Sequence, residues 1–211
     1  MALVELRGAS KAYGVVHAIE DVDLDLEAGE VHCLAGENGA GKSTIIKVLT
    51  GAIRRDAGTY RVDGADVGHL GPAEARAAGI GVVYQELSLL PELSVQENLL
   101  MGRLPARHGL VRPRALRERA TDLLARVGLE RVDPRTPVAD LAPATRQLIE
   151  VAKVLAGDAR VIVFDEPTTA LSGDEAKGLL RLIAQLRDDG VAILYVTHRL
   201  EEMFEIGNRV T

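Results

Sequence analysis

The sequence predicts an α/β fold built on a parallel core sheet, with an N-terminal antiparallel β subdomain and an inserted α-helical subdomain. Three observations carry this expectation. Residues 3–6 and 22–26 alternate apolar with polar side chains, the period of strands with one solvated face, as antiparallel sheets have. Residues 80–84, 161–164 and 191–196 are unbroken apolar runs separated by helical stretches, the pattern of strands buried on both faces of a parallel sheet. The stretch from Pro91 to Leu155 contains no convincing strand and carries helical patterns at residues 94–102, 114–127 and 145–156.

Taken in order, residues 30–35 form an apolar strand that breaks at Gly36, and a helix begins near Lys42. Ile45, Ile46, Leu49 and Ile53 supply the apolar stripe of that helix. Residues 59–62 are a further short strand, closed by an Asp63-Gly64 turn. Arginines cluster between Arg103 and Arg119, but Glu118 and Asp122 interrupt them, as on a solvated helix face. Asn208-Arg209-Val210-Thr211 has the look of a strand opening, so residues 1–211 are expected to form one domain of a longer chain, with the helical subdomain at about 91–156.

Composition narrows the function classes. Hydrophobic residues at 47% and charged residues at 27% are those of a globular protein, and a net charge of −6 provides no general basic footprint for nucleic acid. The single Cys33 cannot form an internal disulfide, which fits a reducing compartment, and its apolar neighbours predict a buried thiol. The five histidines show no metal-ligand spacing. The N-terminus lacks a basic region followed by an apolar core, and no apolar stretch approaches the ~20 residues of a membrane span.

The chemistry is concentrated at the ends of the apolar strands. Gly36-Glu37-Asn38-Gly39-Ala40-Gly41-Lys42-Ser43 matches G-x-x-x-x-G-K-[ST] at every fixed position, after a buried strand and before a helix. Glycines there let backbone N–H groups converge on phosphate oxygens at a positive helix N-terminus. The candidate cradle is Gly36, Asn38, Gly39, Ala40, Gly41, Lys42, Ser43 and Thr44. Lys42 would meet the β- and γ-phosphates of ATP, and Ser43 would ligate Mg2+. Asn38 at the second glycine position argues against a dinucleotide-binding loop. Asp165 and Glu166 close the strand at 161–164; Asp165 is the candidate for the Mg2+ shell and Glu166 for polarising the attacking water. His198 closes the strand at 191–196 and is placed to donate to the γ-phosphate, although a histidine there can also simply cap a strand. Gln85 closes the strand at 80–84, where its amide reaches either Mg2+ or the water. The α/β fold is therefore expected to be that of a P-loop NTPase, with four parallel strands each delivering a polar group to one sheet edge.

The order P-loop, Gln85, helical region, Asp165-Glu166, Thr197-His198 resembles the nucleotide-binding domain of ABC ATPases over nearly the whole chain. Val83-Tyr84-Gln85-Glu86-Leu87-Ser88-Leu89-Leu90-Pro91, Gln147-Leu148-Ile149-Glu150-Val151-Ala152-Lys153 and Asp165-Glu166-Pro167-Thr168-Thr169-Ala170-Leu171 are similar to the ATPases of bacterial carbohydrate importers. The resemblance implies the N-terminal half of a fused ATPase pair, an enzyme that hydrolyses ATP to drive sugar import. It implies polytopic membrane permease subunits as partners, a solute-binding protein acting indirectly, and a cytoplasmic location on the inner face of the membrane. It makes Tyr13 the aromatic that stacks on adenine and directs the permease contact to the helical region, around residues 90–95. One departure stands out: the family signature Leu-Ser-Gly-Gly-Gln aligns with Leu141-Ala142-Pro143-Ala144-Thr145, and Ser172 replaces a frequent aspartate. Ala142 cannot donate a hydrogen bond and Ala144 adds a Cβ where backbone must come close, so the site this segment serves in a partner domain is expected to turn over poorly. An ABC ATPase acting on nucleic acid or ribosomes is the alternative, but no coiled-coil arm, zinc module or basic linker supports it.

Overall fold

The computed structural model describes residues 2–37, 39–107 and 110–211. In chain order the first part forms β1 (Ala2–Tyr13), β2 (Val16–Glu27), β3 (Val31–Leu34), α1 (Lys42–Leu49), β4 (Ala57–Val62), β5 (Ala65–Asp66), α2 (Pro72–Ala77) and β6 (Ile80–Val83). The middle forms α3 (Val95–Leu99), β7 (Ala106–Arg107), β8 (Leu110–Val111), α4 (Pro113–Arg126) and α5 (Pro143–Leu155). The remainder forms β9 (Val161–Asp165), α6 (Gly173–Asp188), β10 (Ala192–Val196), α7 (Leu200–Ile206) and β11 (Arg209–Val210).

The alternating segments form the antiparallel sheet, in the order β2-β1-β4-β5. Register places Val4 opposite Leu26 and Val62, and Leu6 opposite Leu24 and Tyr60, so one face of all three long strands is apolar and buried. The unbroken apolar runs, with β3 and the short edge strand β11, form the parallel sheet, in the order β11-β3-β10-β9-β6. Its two faces feed two cores. Leu34, Ile80, Val161, Val163, Leu194 and Val196 pack with α1 and the antiparallel sheet. Cys33, Val83, Ile162, Phe164, Ile193 and Tyr195 pack with the helices on the other side. Because successive side chains point to opposite faces, a strand covered on both is apolar at nearly every position, which is why these segments do not alternate; the buried His32 of β3 is the exception, with both ring nitrogens hydrogen-bonded.

Four details depart from the sequence expectation. Helix α1 stops at Leu49, and Ile53 packs against the core from beyond its end. The cause is Gly51 (φ 73°), where a Cβ would lie 2.2 Å from the Leu70 carbonyl oxygen, so the chain turns there with a residue that has none. Second, the helical region does contain strands: β7 and β8 pair antiparallel, Ala106 opposite Val111, and two residues per strand are too few to show a period. Third, α4 and α5 each begin with a proline, Pro113 and Pro143, whose absent N–H costs nothing at a first helical position. Finally, α3 is only Val95–Leu99. As expected, the arginines of α4 lie on its solvated side, with Leu116, Ala120, Leu123 and Leu124 inward. Arg103 differs, donating to the Ala156 carbonyl oxygen at 3.0 Å, just past the end of α5.

The two sheets are tied through α1. The buried Tyr60 hydroxyl of β4 donates to the Leu49 carbonyl oxygen at 2.8 Å, satisfying an acceptor at the helix end that has no intrahelical donor. Tyr60→Phe is expected to leave that carbonyl unpaired and cost about 1–3 kcal/mol. Calorimetry should register it as a Tm lower by about 2–4 °C per kcal/mol. Cys33 is fully buried, and burial pushes its thiol up to about 11. The thiolate is the reactive form, so a thiol reagent at pH 8 should label Cys33 only in denaturant.

Candidate functional site

The loop from β3 into α1 is shaped by close backbone contact. Gly41 precedes the helix at φ 89°, and a Cβ there would meet the Ala18 carbonyl oxygen at 2.4 Å and Ile19 Cγ2 at 2.7 Å. Strand β2 therefore rests directly on the loop. The first turn closes through Thr44 and Ile45 N–H groups donating to the Gly41 carbonyl at 2.9 and 3.0 Å. Helix α1 carries no acidic residue in that turn, so nothing within the helix offsets the positive end of its dipole. Lys42 is buried and folds back over the loop, its Nζ donating to the Gly36 carbonyl at 2.6 Å and the Glu37 carbonyl at 2.9 Å. Gly36, Gly39, Ala40, Ser43 and Thr44 complete the loop and helix start, with Ser43 exposed; Asn38 lies outside the described residues.

Strand order arranges the other groups around this loop. Strand β10 lies between β3 and β9, with Tyr195 opposite Cys33 on one side and Phe164 on the other, so His198 emerges between the loop and Glu166. His198 Nδ1 stands 3.3 Å from Glu166 Oε2. Glu166 itself adopts φ 48°, a left-handed conformation costly for a residue with a Cβ. Its N–H donates to the Val196 carbonyl at 3.0 Å, and its carbonyl accepts from the Thr169 hydroxyl at 3.1 Å. Asp165 is half-buried; burial first, and then the neighbouring Glu166 charge, raise its carboxyl above the ordinary value, with Lys42 pulling the other way. Gln85 follows the end of β6 by two residues, beside β9 in the sheet, and is exposed.

Two sequence-derived positions are less central. Tyr13 ends β1 opposite Val16, on the hairpin whose second strand contacts Gly41; its ring is 49% exposed, with Lys11 Nζ 5.8 Å from the centroid. In the 90–95 stretch only Leu90, at 45%, is an exposed large hydrophobic, while Val95 is core. The buried Asn98 secures that stretch, accepting from the Leu90 N–H at 2.7 Å and donating to the Leu90 carbonyl at 3.0 Å. The signature segment forms the start of α5, where Ala142 is the N-cap residue and makes no side-chain cap. Ser172 caps α6, its N–H donating to Glu175 Oε2 at 2.8 Å. One carboxylate at this edge escaped sequence reading: Glu202, which sits among the acids Glu201 and Glu205 and carries no motif, is buried.

A family model described as ABC transporter matches residues 19–169. This chain belongs to the ABC transporter family. The chain is 50% identical over 209 residues to the ribose import ATP-binding protein RbsA 1 of Rubrobacter xylanophilus, covering 99% of this chain and 42% of that protein. It is 51% identical over 210 residues to the arabinose import ATP-binding protein AraG 2 of Burkholderia thailandensis, covering 100% of this chain and 40% of that one. The chain thus spans about two fifths of the length of these relatives. Among solved structures, a nucleotide-free ATP-binding cassette from an ABC transporter superposes with TM-score 0.88 at 25% identity, over 100% of this chain and 87% of that one. An ABC transporter cassette in its ADP conformation gives TM-score 0.86 at 26% identity, over 100% of this chain and 86% of that one. The parallel sheet, antiparallel sheet and helical insertion are those of an ABC ATPase cassette.

Gly39 and Gly41 offer an internal comparison, since both have φ 89° but only Gly41 is crowded. Gly39→Ala should cost about 1 kcal/mol from the left-handed backbone alone. Gly41→Ala should cost visibly more, because β2 must also move; equal Tm losses would contradict the close approach.

Proposed function

We propose that this chain is the ATP-hydrolysing module of an ABC importer, powering uptake of a simple sugar through membrane permease subunits. The observation that carries the proposal is the convergence of the Lys42 loop, Asp165, Glu166, His198 and Gln85 on one sheet edge, with His198 3.3 Å from Glu166. In this reading the loop N–H groups of Gly36, Asn38, Gly39, Ala40 and Gly41 and the N-terminus of α1, through Ser43 and Thr44, hold the β- and γ-phosphates of ATP. Lys42 exchanges its carbonyl partners for phosphate oxygens, and Tyr13 stacks on adenine. Glu166 orients a water in line with the γ-phosphorus and takes its proton as the bond to the β-phosphate oxygen breaks, releasing ADP and phosphate. His198 steadies the Glu166 carboxylate and donates toward the γ-phosphate, and Gln85 reports the nucleotide state to the helical region.

The residues suit Mg2+. Ser43, Asp165 and Gln85 present a hydroxyl, a carboxylate and an amide oxygen, an all-oxygen set appropriate to a hard cation. Burial and the Glu166 charge raise the Asp165 carboxyl above its ordinary value, and a cation bound beside it would lower it again. Bound there, Mg2+ would neutralise charge building on the phosphate oxygens.

The similarity to ribose and arabinose import proteins supports a sugar as cargo, and their greater length supports a second ATPase domain in the same chain. Among the described residues no helix is long and apolar enough to cross a membrane, so the membrane path is assigned to the permease, with this module on its cytoplasmic face and a solute-binding protein acting from the other side. The alternative, an ABC ATPase working on nucleic acid or ribosomes, is disfavoured by those relatives and by the net charge of −6.

Affinity purification of the full-length protein from solubilised membranes tests the proposal: a polytopic subunit should co-elute and sugar-loaded binding protein should raise ATPase activity, whereas recovery with ribosomes or DNA would overturn it. Glu166→Gln should lower kcat by about 10²-fold or more with ATP affinity nearly unchanged. Ala142→Ser with Ala144→Gly should raise turnover at the site where α5 meets a partner domain's P-loop; fast turnover there in the unaltered protein would contradict the proposed asymmetry.

A further inference from the structure

Glu202 of α7 is 6% exposed and accepts four hydrogen bonds from the described residues. Its Oε1 accepts from the Thr168 hydroxyl at 2.7 Å and from Arg199 Nη1 at 3.3 Å. Its Oε2 accepts from the Tyr195 hydroxyl at 2.7 Å and the Thr197 hydroxyl at 3.0 Å. The Thr197 hydroxyl oxygen in turn accepts from the Arg199 N–H at 3.0 Å. Thr168, Thr197 and Tyr195 are all buried, so these bonds lie away from water, where each is electrostatically stronger and each loss more damaging.

The donors come from different parts of the site. Thr168 is two residues past Glu166, in the loop leaving β9; Thr197 immediately precedes His198; Tyr195 lies inside β10. A buried carboxylate is a poor device for stability alone, since well-packed apolar residues often do as well or better. What a carboxylate does provide is two acceptor oxygens at a fixed separation, able to hold two loops in one relation. Both loops need holding. Glu166 keeps a left-handed backbone that persists only where its surroundings over-determine it, and His198 has 54% of its side chain exposed.

We propose that Glu202 is a positioning residue for ATP hydrolysis: its carboxylate clamps the loop bearing Glu166 to the loop bearing His198 and sets the separation of those two side chains. The proposal rests on the reading of Glu166 and His198 given above. Displacement of a reacting group by an ångström costs on the order of 10²-fold in rate, so a clamp of this kind acts on kcat rather than on nucleotide affinity.

Steady-state ATPase kinetics on the full-length protein separate a clamp from a merely structural carboxylate. Thr168→Val and Thr197→Val each cut one loop from Glu202 and should lower kcat about tenfold or more while KM for ATP moves less than about threefold. Tyr195→Phe removes a buried hydrogen bond from the same carboxylate while leaving both threonine hydroxyls bonded to it, and should lower Tm but leave kcat within about twofold. Glu202→Gln should retain most of the turnover, because the amide oxygen can keep the Thr168 hydroxyl and Arg199 while the Thr197 hydroxyl accepts from the new amide N–H, whereas Glu202→Met should lose it. If Glu202→Met does not fold, the threonine variants decide alone. Wild-type kcat in both threonine variants, or an equal kcat loss in Tyr195→Phe, would overturn the clamp. Glu166→Gln measured alongside distinguishes the two levels: full turnover there would remove the catalytic assignment and the clamp with it, while loss there with unaffected threonine variants removes the clamp only.

Discussion

Strand β10 is hydrogen-bonded on both edges and covered on both faces, and the position of every other functional element follows from that. Its register sets Val196 level with Leu34 of β3 and with Asp165 of β9, so three strands end at one height. Parallel strands that end together release their loops on the same side, which is how a phosphate-type loop, a carboxylate pair and an imidazole come to share one edge. All five residues of β10 are buried, and no charged group interrupts them before the edge is reached. The division between an apolar sheet and a polar rim is a consequence of covering: side chains within the layers are apolar or, like His32 and Tyr195, hydrogen-bonded, whereas those just past the last strand residue can meet water.

At that rim, local strain is held by distant contacts. Gly41 can approach β2 only because it lacks a Cβ, and Ala18 of β2 comes from the antiparallel sheet rather than from the sheet that supplies the loop. Glu166 keeps an unfavourable backbone with its N–H bonded to β10. The antiparallel sheet thus has a part in shaping the phosphate-type loop although no motif lies in it, and Tyr60 fastens it to the far end of the same helix.

The helical region connects to the rim through side chains rather than backbone. Ser88, three residues past Gln85, donates to Glu150 of α5, and Lys153 of the same helix donates to the Ser88 carbonyl at 3.0 Å and hydroxyl at 2.8 Å. Helix α5 begins at Pro143, just after its N-cap Ala142, so the segment after Gln85 and the helix carrying the altered signature are physically joined.

The sequence by itself determined which segments are buried strands, which alternate, and which residues sit at strand ends: Lys42, Gln85, Asp165, Glu166 and His198 were all legible because a motif or an abrupt change from apolar to polar marks each one. It also placed α4 and α5 to within two residues, and the buried Cys33. Periodicity reports how many faces of a segment are covered, but not by what. Only the tertiary structure decided that β10 lies between β3 and β9, bringing His198 against Glu166, since strand pairing is a long-range choice that no local pattern encodes. It alone ended α1 at Leu49, through a close approach by Leu70, and revealed a hairpin too short to carry a period. It alone distinguished Glu202 from the acids around it, because on a short helix the buried and solvated faces are assigned by what packs against them, and here that is Thr168, Tyr195 and Thr197.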